Sequence, residues 1–326
     1  MKDDADKNIK GEAVCSGNFS KTGLVLEGGA MRGMFTAGVL DVLMENEIYT
    51  DGVIGVSAGA VFGCNYKSRQ IGRTIRYNKR FAGDWRYCSV RSLLKTGDLY
   101  GADFCYNRIP NELDVFDLES YKKNPIPFYV AASDCRTGKC VYKKLETCGE
   151  NDLKWMRASA SMPLASRPVY VDGYKLLDGG MTDSIPLEFF EKLGFSRNIV
   201  ILTQPRHYKK SPNALMPFIK MSLRKYPALI QAMQNRHKMY NAETEYVFEQ
   251  EKKGNVLVIC PENSLGISRT EKNPDELQRV YEIGRNIAKK MLSEIKEFIA
   301  RNLAFRMVIL HKKECENLCK IIKINS

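Results

Sequence analysis

No apolar run in this chain approaches the roughly 18 residues that a membrane-spanning helix needs, so the sequence predicts no such helix. The first residues, Met1-Lys2-Asp3-Asp4-Ala5-Asp6-Lys7, are polar and acidic and lack the apolar stretch of a secretory signal. Ten cysteines include no CxxC pair and no zinc spacing, which points to thiols in a reducing cytoplasm rather than a disulfide scaffold. Cys315 and Cys319, four apart, have no histidine or carboxylate pattern to complete a metal site, so no metal is expected. Histidine is scarce: His207, His237 and His311 all lie among Lys and Arg, where positive charge disfavours an imidazolium. Acids are missing from residues 192–242, which hold ten Lys or Arg, and from the run Lys67, Arg69, Arg73, Arg76, Lys79, Arg80 that precedes Asp84. Such segregation predicts one or two positive faces suited to anionic lipid headgroups, acidic substrates or nucleic acid. No aromatic-basic recognition motif favours nucleic acid among these.

What is present describes an ordinary globular protein: 326 residues, 44% hydrophobic and 27% charged. No repeat, linker or low-complexity run divides it, so one domain is expected over 21–304, between a polar tail at 1–20 and a basic tail at 305–326. Thr22-Gly23-Leu24-Val25-Leu26-Glu27 reads as a buried strand, and residues 34–47 space Phe35, Val39, Leu40, Leu43 and Met44 as a helix face. A second strand at Gly52-Val53-Ile54 and a second helix follow. This β-α-β-α order predicts a parallel sheet covered by helices. Further strands are expected at 127–132, 141–144, 198–203 and 255–260, and a long amphipathic helix at 274–304, opened by Asn273-Pro274-Asp275-Glu276.

Three segments carry chemistry. Gly55-Val56-Ser57-Ala58-Gly59 sets a serine between two glycines on a strand-to-helix turn. That is how a sheet presents a nucleophilic hydroxyl, although an incidental serine in a glycine-rich turn has the same pattern. Gly28-Gly29-Ala30-Met31-Arg32-Gly33, directly after the first strand, offers backbone N–H groups and the Arg32 charge to an anion. It suits an oxyanion hole, or a nucleotide phosphate, though Ala30 disturbs a dinucleotide fingerprint and no lysine completes a P-loop. Asp178, in Leu176-Leu177-Asp178-Gly179-Gly180, emerges from an apolar strand end. It reads either as a general base or as the hydrogen-bonding Asp of a tight turn. His207 satisfies the Ser, Asp, His chain order of a hydrolase triad and is the alternative base.

Together, the glycine-rich loop with Arg32, the Gly-x-Ser-x-Gly turn and the distant Asp178-Gly179-Gly180 resemble the patatin-like phospholipase family. The likeness runs from about residue 21 to about 290. It takes in Arg157-Ala158-Ser159-Ala160-Ser161-Met162-Pro163, Tyr226-Pro227-Ala228-Leu229, Asn235-Arg236-His237 and, similar to bacterial members, Leu265-Gly266-Ile267-Ser268-Arg269. The resemblance implies a three-layer α/β/α fold with a mostly parallel sheet and a metal-free, cofactor-free acyl hydrolase acting on lipid esters. Ser57 would be its nucleophile, Asp178 its base, and Gly28, Gly29, Ala30, Arg32 and Gly33 its oxyanion loop. Gly55 and Gly59 would frame the nucleophile turn, and Gly179 and Gly180 would follow the base. Ala30 departs from the family, which usually has glycine there, so a reshaped oxyanion hole is expected. The basic 192–242 region, with Leu215, Phe218, Ile219 and Leu223 among its cations, would touch an anionic membrane surface.

Overall fold

A computed structural model describes residues 21–300. The expected tails at 1–20 and 305–326, with His311, Cys315 and Cys319, therefore lie outside the described residues. The chain begins β1 (Thr22–Leu26), α1 (Gly33–Glu45), β2 (Gly52–Val56), α2 (Ala58–Lys67), as the alternating pattern predicts. Next come α3 (Arg73–Phe81), α4 (Val90–Thr96), a π-helical segment (Phe104–Leu113) and α5 (Leu118–Lys123). The second half runs β3 (Phe128–Asp134), β4 (Cys140–Leu145), α6 (Glu150–Ser159), β5 (Val169–Val171), β6 (Tyr174–Asp178), α7 (Leu187–Lys192) and β7 (Arg197–Ile201). It closes with α8 (Met216–Ser222), α9 (Pro227–Lys252), β8 (Val256–Ile259) and α10 (Pro274–Lys290).

The strands form one sheet in the order β5-β6-β3-β2-β1-β7-β8, with β4 also on β3. The run from β3 to β8 is parallel, while β4 and β6 pair antiparallel with β3 and β5 pairs antiparallel with β6. Strand side chains alternate between faces, and both faces are buried. Leu24 and Leu26 pack on the side of α1, α2, α3 and α10, whereas Val25, Ile54 and Val200 pack on the side of α7 and α9. The result is the expected α/β/α sandwich. A Cβ on Gly38 would stand 2.1 Å from the Tyr281 carbonyl, and one on Gly284 2.1 Å from that of Phe35. Helices α1 and α10 therefore meet backbone to backbone.

Three expectations need correction. The helix expected over 274–304 stops at Lys290; Met291 is a turn and helix resumes over 292–300. The cation run from Lys67 to Arg80 is not an open positive face. Arg73 and Arg76 converge on Asp114 at 3.2 and 2.7 Å, Arg80 donates to the Leu113 carbonyl, and buried Lys67 lies over the Tyr121 ring. The three arginines tie down the end of the π-helical segment. The 192–242 region is likewise divided. Lys192, Arg206 and Lys209 pair with Glu188, Glu251 and Glu245, acids lying just beyond the acid-free stretch. Lys210 and Arg236 instead turn into an interior cleft.

Candidate active site

Sheet register explains how Ser57 and Asp178 meet. Val56, the last residue of β2, pairs with Ala131 of β3, and the next residue of β3, Ala132, pairs with Asp178 at the end of antiparallel β6. The residue after Val56 therefore emerges beside Asp178. The glycine loop leaves the C-terminal end of neighbouring β1. Gathering sites at the carboxyl ends of parallel strands is the usual topology of open α/β sheets.

Ser57 sits at φ 54°, ψ −121° and caps α2 at its N-terminus. Holding a non-glycine residue there costs on the order of 1–3 kcal/mol, which the surrounding structure must offset. It is enforced by close packing: a Cβ on Gly55 would stand 2.5 Å from the Gly59 carbonyl oxygen, and one on Gly59 2.4 Å from that of Leu26. The Ser57 N–H donates to the Ser159 hydroxyl at 2.9 Å. Two residues on, the Ser161 carbonyl accepts the Asp178 N–H at 2.8 Å. The small-residue run at the C-terminal end of α6 thus holds both candidate catalytic residues through one short segment, a role its sequence did not disclose.

Asp178 caps a tight turn with one carboxylate oxygen and leaves the other unpaired among the described residues. Its Oδ1 accepts the Gly180 N–H at 2.8 Å and caps a tight turn, in which a Cβ on Gly179 would strike the Ala131 carbonyl. Its Oδ2 is buried and accepts no hydrogen bond among the described residues. Burial pushes the carboxyl pKa above the ordinary value; the Ser57 hydroxyl, Arg236, the Gly180 N–H and Arg269 oppose that rise. Ser57 and Asp178 line the same cleft, and no hydrogen bond joins the Asp178 Oδ2 to the serine.

In the glycine loop, a Cβ on Gly28 would stand 2.8 Å from that of Ser57, and one on Gly29 2.7 Å from Thr203 Oγ1. The Arg32 N–H donates to the Gly29 carbonyl at 3.1 Å, and the Gly33 N–H is directed back at the Ala30 and Met31 carbonyls. No backbone acceptor among the described residues holds the Gly28, Gly29 or Ala30 N–H. The expected donor set therefore contracts: Gly33 starts α1 and Arg32 contributes its side chain, whose buried Nε has no partner. Ala30 nevertheless takes φ 48°, a positive φ that alanine adopts only at a cost of roughly 1–2 kcal/mol. Ala30→Gly is expected to hold or raise the melting temperature and keep kcat within about threefold. Ala30→Val, β-branched at positive φ, should lower both; equal behaviour of the two variants would show that the left-handed turn does not matter.

Two cavities meet at Ala30, Ser57, Met162 and Arg269. One, of about 390 Å³, is apolar and lined by Val61, Tyr77, Leu93, Ile109, Met156 and others. The second is a polar cleft of about 70 Å³ holding Glu27, Gly28, Gly29, Arg32, Asp178, Lys210, Arg236 and Tyr240. Glu27 is buried and accepts from the Tyr240 hydroxyl at 2.8 Å and the Thr203 N–H at 2.6 Å. His207 is exposed in the turn beyond Thr203 and lines neither cavity. The sequence assigns none of Glu27, Lys210, Arg236, Tyr240 and Arg269 to the site. Among the described residues no cluster of three His, Cys, Asp or Glu side chains is placed to hold a metal.

Known proteins similar to this chain point to a family. Residues 226–300 match a domain family of unknown function, DUF6363. The chain is 26% identical over 285 residues to the uncharacterized protein YjjU of Escherichia coli K12, covering 83% of this chain and 77% of that one. It is 30% identical over 179 residues to lysophospholipase NTE1 of Scheffersomyces stipitis, covering 53% of this chain and 11% of that protein. To the neuropathy target esterase sws of Drosophila melanogaster it is 30% identical over 189 residues, 55% of this chain and 12% of that one. The chain thus spans only about a tenth of these two eukaryotic relatives. The patatin-like phospholipase model matches residues 24–190, more than half of the chain and all of the serine turn, the glycine loop and the aspartate. With that match on this α/β/α sandwich, the chain belongs to the patatin-like phospholipase family of ester hydrolases.

Proposed function

We propose that this chain cleaves fatty-acyl esters of lipids through a Ser57–Asp178 dyad and an acyl-enzyme. The observation that carries the reading is the buried Asp178 Oδ2, without a partner, beside a serine on a strained turn. Asp178 takes the Ser57 proton as the hydroxyl attacks the ester carbonyl, and the Gly28, Gly29 and Ala30 N–H groups receive the oxyanion. The partial positive charge at the α2 N-terminus favours the forming alkoxide. Asp178 then returns the proton to the leaving alcohol, and water activated by the same carboxylate hydrolyses the acyl-enzyme. The apolar cavity beside Ser57 accommodates the acyl chain. Ester turnover should vanish in Ser57→Ala while its melting temperature stays near wild type; undiminished turnover would overturn the assignment.

The exposed surface supports docking on an anionic bilayer. Leu164 and Leu215 line the apolar cavity and are also exposed, so they mark its opening. On α8, Phe218 and Met221 stand 57% and 69% exposed, with Lys220, Arg224 and Lys225 on the surface beside them. Apolar side chains interleaved with cations suit the headgroup boundary. The protein should float with phosphatidylglycerol vesicles at low salt, less with phosphatidylcholine, and least as Phe218→Glu/Met221→Glu. Equal flotation on both lipids would exclude an electrostatic component.

A further inference from the structure

The polar cleft holds more positive charge than acyl transfer through Ser57 and Asp178 requires. Arg32, Lys210, Arg236 and Arg269 all line it. No carboxylate among the described residues forms a salt bridge with any of the four. The two acids in the cleft have other work. Glu27 is occupied by Tyr240 and Thr203, and Asp178 by Gly180 and the neighbourhood of Ser57. The cations also crowd one another: burial and then Arg236, Arg32 and Arg269 pull Lys210 down to about 8, with only Glu27 opposing. Burial, Arg32 and Arg236 likewise lower Arg269. Four like charges packed together with only two carboxylates near them are unfavourable until a further anion enters.

We propose that Arg32, Lys210, Arg236 and Arg269 form a binding site for a phosphate monoester, carried by the lipid whose acyl ester Ser57 attacks. The substrate class is thus an acyl ester of glycerol phosphate. This rests on the proposed acyl hydrolase reading for the fate of the lipid, but not for its binding. Four cations against two carboxylates leave an excess of two positive charges. A phosphate monoester carries about −1.5 to −2 at pH 7, whereas a carboxylate carries one negative charge and a choline headgroup brings a cation of its own. Guanidinium forks match phosphate oxygens in bidentate pairs. A cleft of about 70 Å³ has room for about five water-sized groups, comparable to the five heavy atoms of a phosphate. Arg269 borders both cavities, so phosphate and acyl chain lie on either side of the serine. Arg236 and Arg269 belong to the 226–300 segment, outside the stretch matched by the patatin-like model. What that segment adds to the site is headgroup recognition.

The test is calorimetric binding to the Ser57→Ala protein, which needs no chemistry. The probes are 1-hexanoyl-glycerol 3-phosphate, 1-hexanoyl-glycerol and inorganic phosphate. The phosphate-bearing lipid should bind at least tenfold more tightly than the neutral one, since charge-assisted bonds each contribute roughly 10- to 100-fold. Lys210→Gln and Arg269→Gln should each shrink that ratio. In the unsubstituted cluster, raising salt from 50 to 500 mM should weaken the phosphate lipid selectively, a readout that survives even if a variant fails to fold. Equal affinity for the two lipids, or a ratio unmoved by salt, overturns the site. Inorganic phosphate binding as tightly as the phosphate lipid overturns its assignment to a headgroup. A preserved ratio in a protein whose wild type hydrolyses neither ester keeps the site and removes the hydrolase reading.

Discussion

Asp178→Asn is expected to lower kcat/KM for a fatty-acyl ester by about 10²–10⁴-fold, the usual contribution of a general base, while raising the melting temperature. Both effects have one cause. Burial lifts the Asp178 pKa above its ordinary carboxylate value. A group whose folded pKa is raised contributes stability below its unfolded value and loses it as pH climbs through the folded one. At neutral pH the ionised carboxylate therefore burdens the fold, and a neutral amide of the same shape removes that burden. It also removes the base. For the wild type the acid limb of kcat/KM should lie above the ordinary Asp range near 3.9, because the carboxylate must be ionised to accept the serine proton. His207→Ala, altering an exposed turn outside both cavities, should keep wild-type turnover. Loss of turnover in His207→Ala with retention in Asp178→Asn would restore a histidine-based triad.

Val61→Trp should shift turnover from long-chain toward short-chain esters. Val61 donates its N–H to the Ser57 carbonyl at 3.1 Å, one helical turn beyond the nucleophile, and its side chain lines the apolar cavity. An indole there fills the path an acyl chain must take. Each methylene denied burial forfeits about 0.8 kcal/mol, so about four lost subsites amount to about 3 kcal/mol, roughly 200-fold. The ratio of kcat/KM for a palmitoyl ester to that for a butyryl ester should fall by that factor. Because the new ring occupies cavity space, the melting temperature should hold or rise. If both esters lose rate equally, the cavity is not the acyl site.

The parts of the site legible in the sequence were those written locally. Serine between glycines, a glycine-rich loop after β1 and aspartate before two glycines are each recognisable from adjacent residues, although the groups those glycines make room for, such as Leu26, Thr203 and Ala131, are distant in the chain. Their convergence was not local. It depends on the register Val56 to Ala131 and Ala132 to Asp178, set by an antiparallel strand whose short apolar stretch carries no pairing information. The acid-free stretch misled for a similar reason. Its counter-charges Glu188, Glu245 and Glu251 lie just outside it, so paired surface cations and the inward-facing Lys210 and Arg236 look alike in one dimension. Arg73 and Arg76 find their shared partner Asp114 only once the π-helical segment folds back on α3. The role of Ser159 depends on a contact with residue 57, distant in the chain, for which a run of small residues gives no signal. Ala30 is the reverse case: the departure was visible in sequence, and the chain adopts the left-handed turn despite it.

The central claim is that Ser57 attacks the ester with Asp178 as its only base. Intact-mass analysis and peptide mapping after treatment with a fluorophosphonate ester test it most directly. One adduct should form on Ser57 in the wild type and in His207→Ala, slowly in Asp178→Asn and not at all in Ser57→Ala. An adduct of equal yield in Ser57→Ala, or one mapped to another residue, would contradict the account.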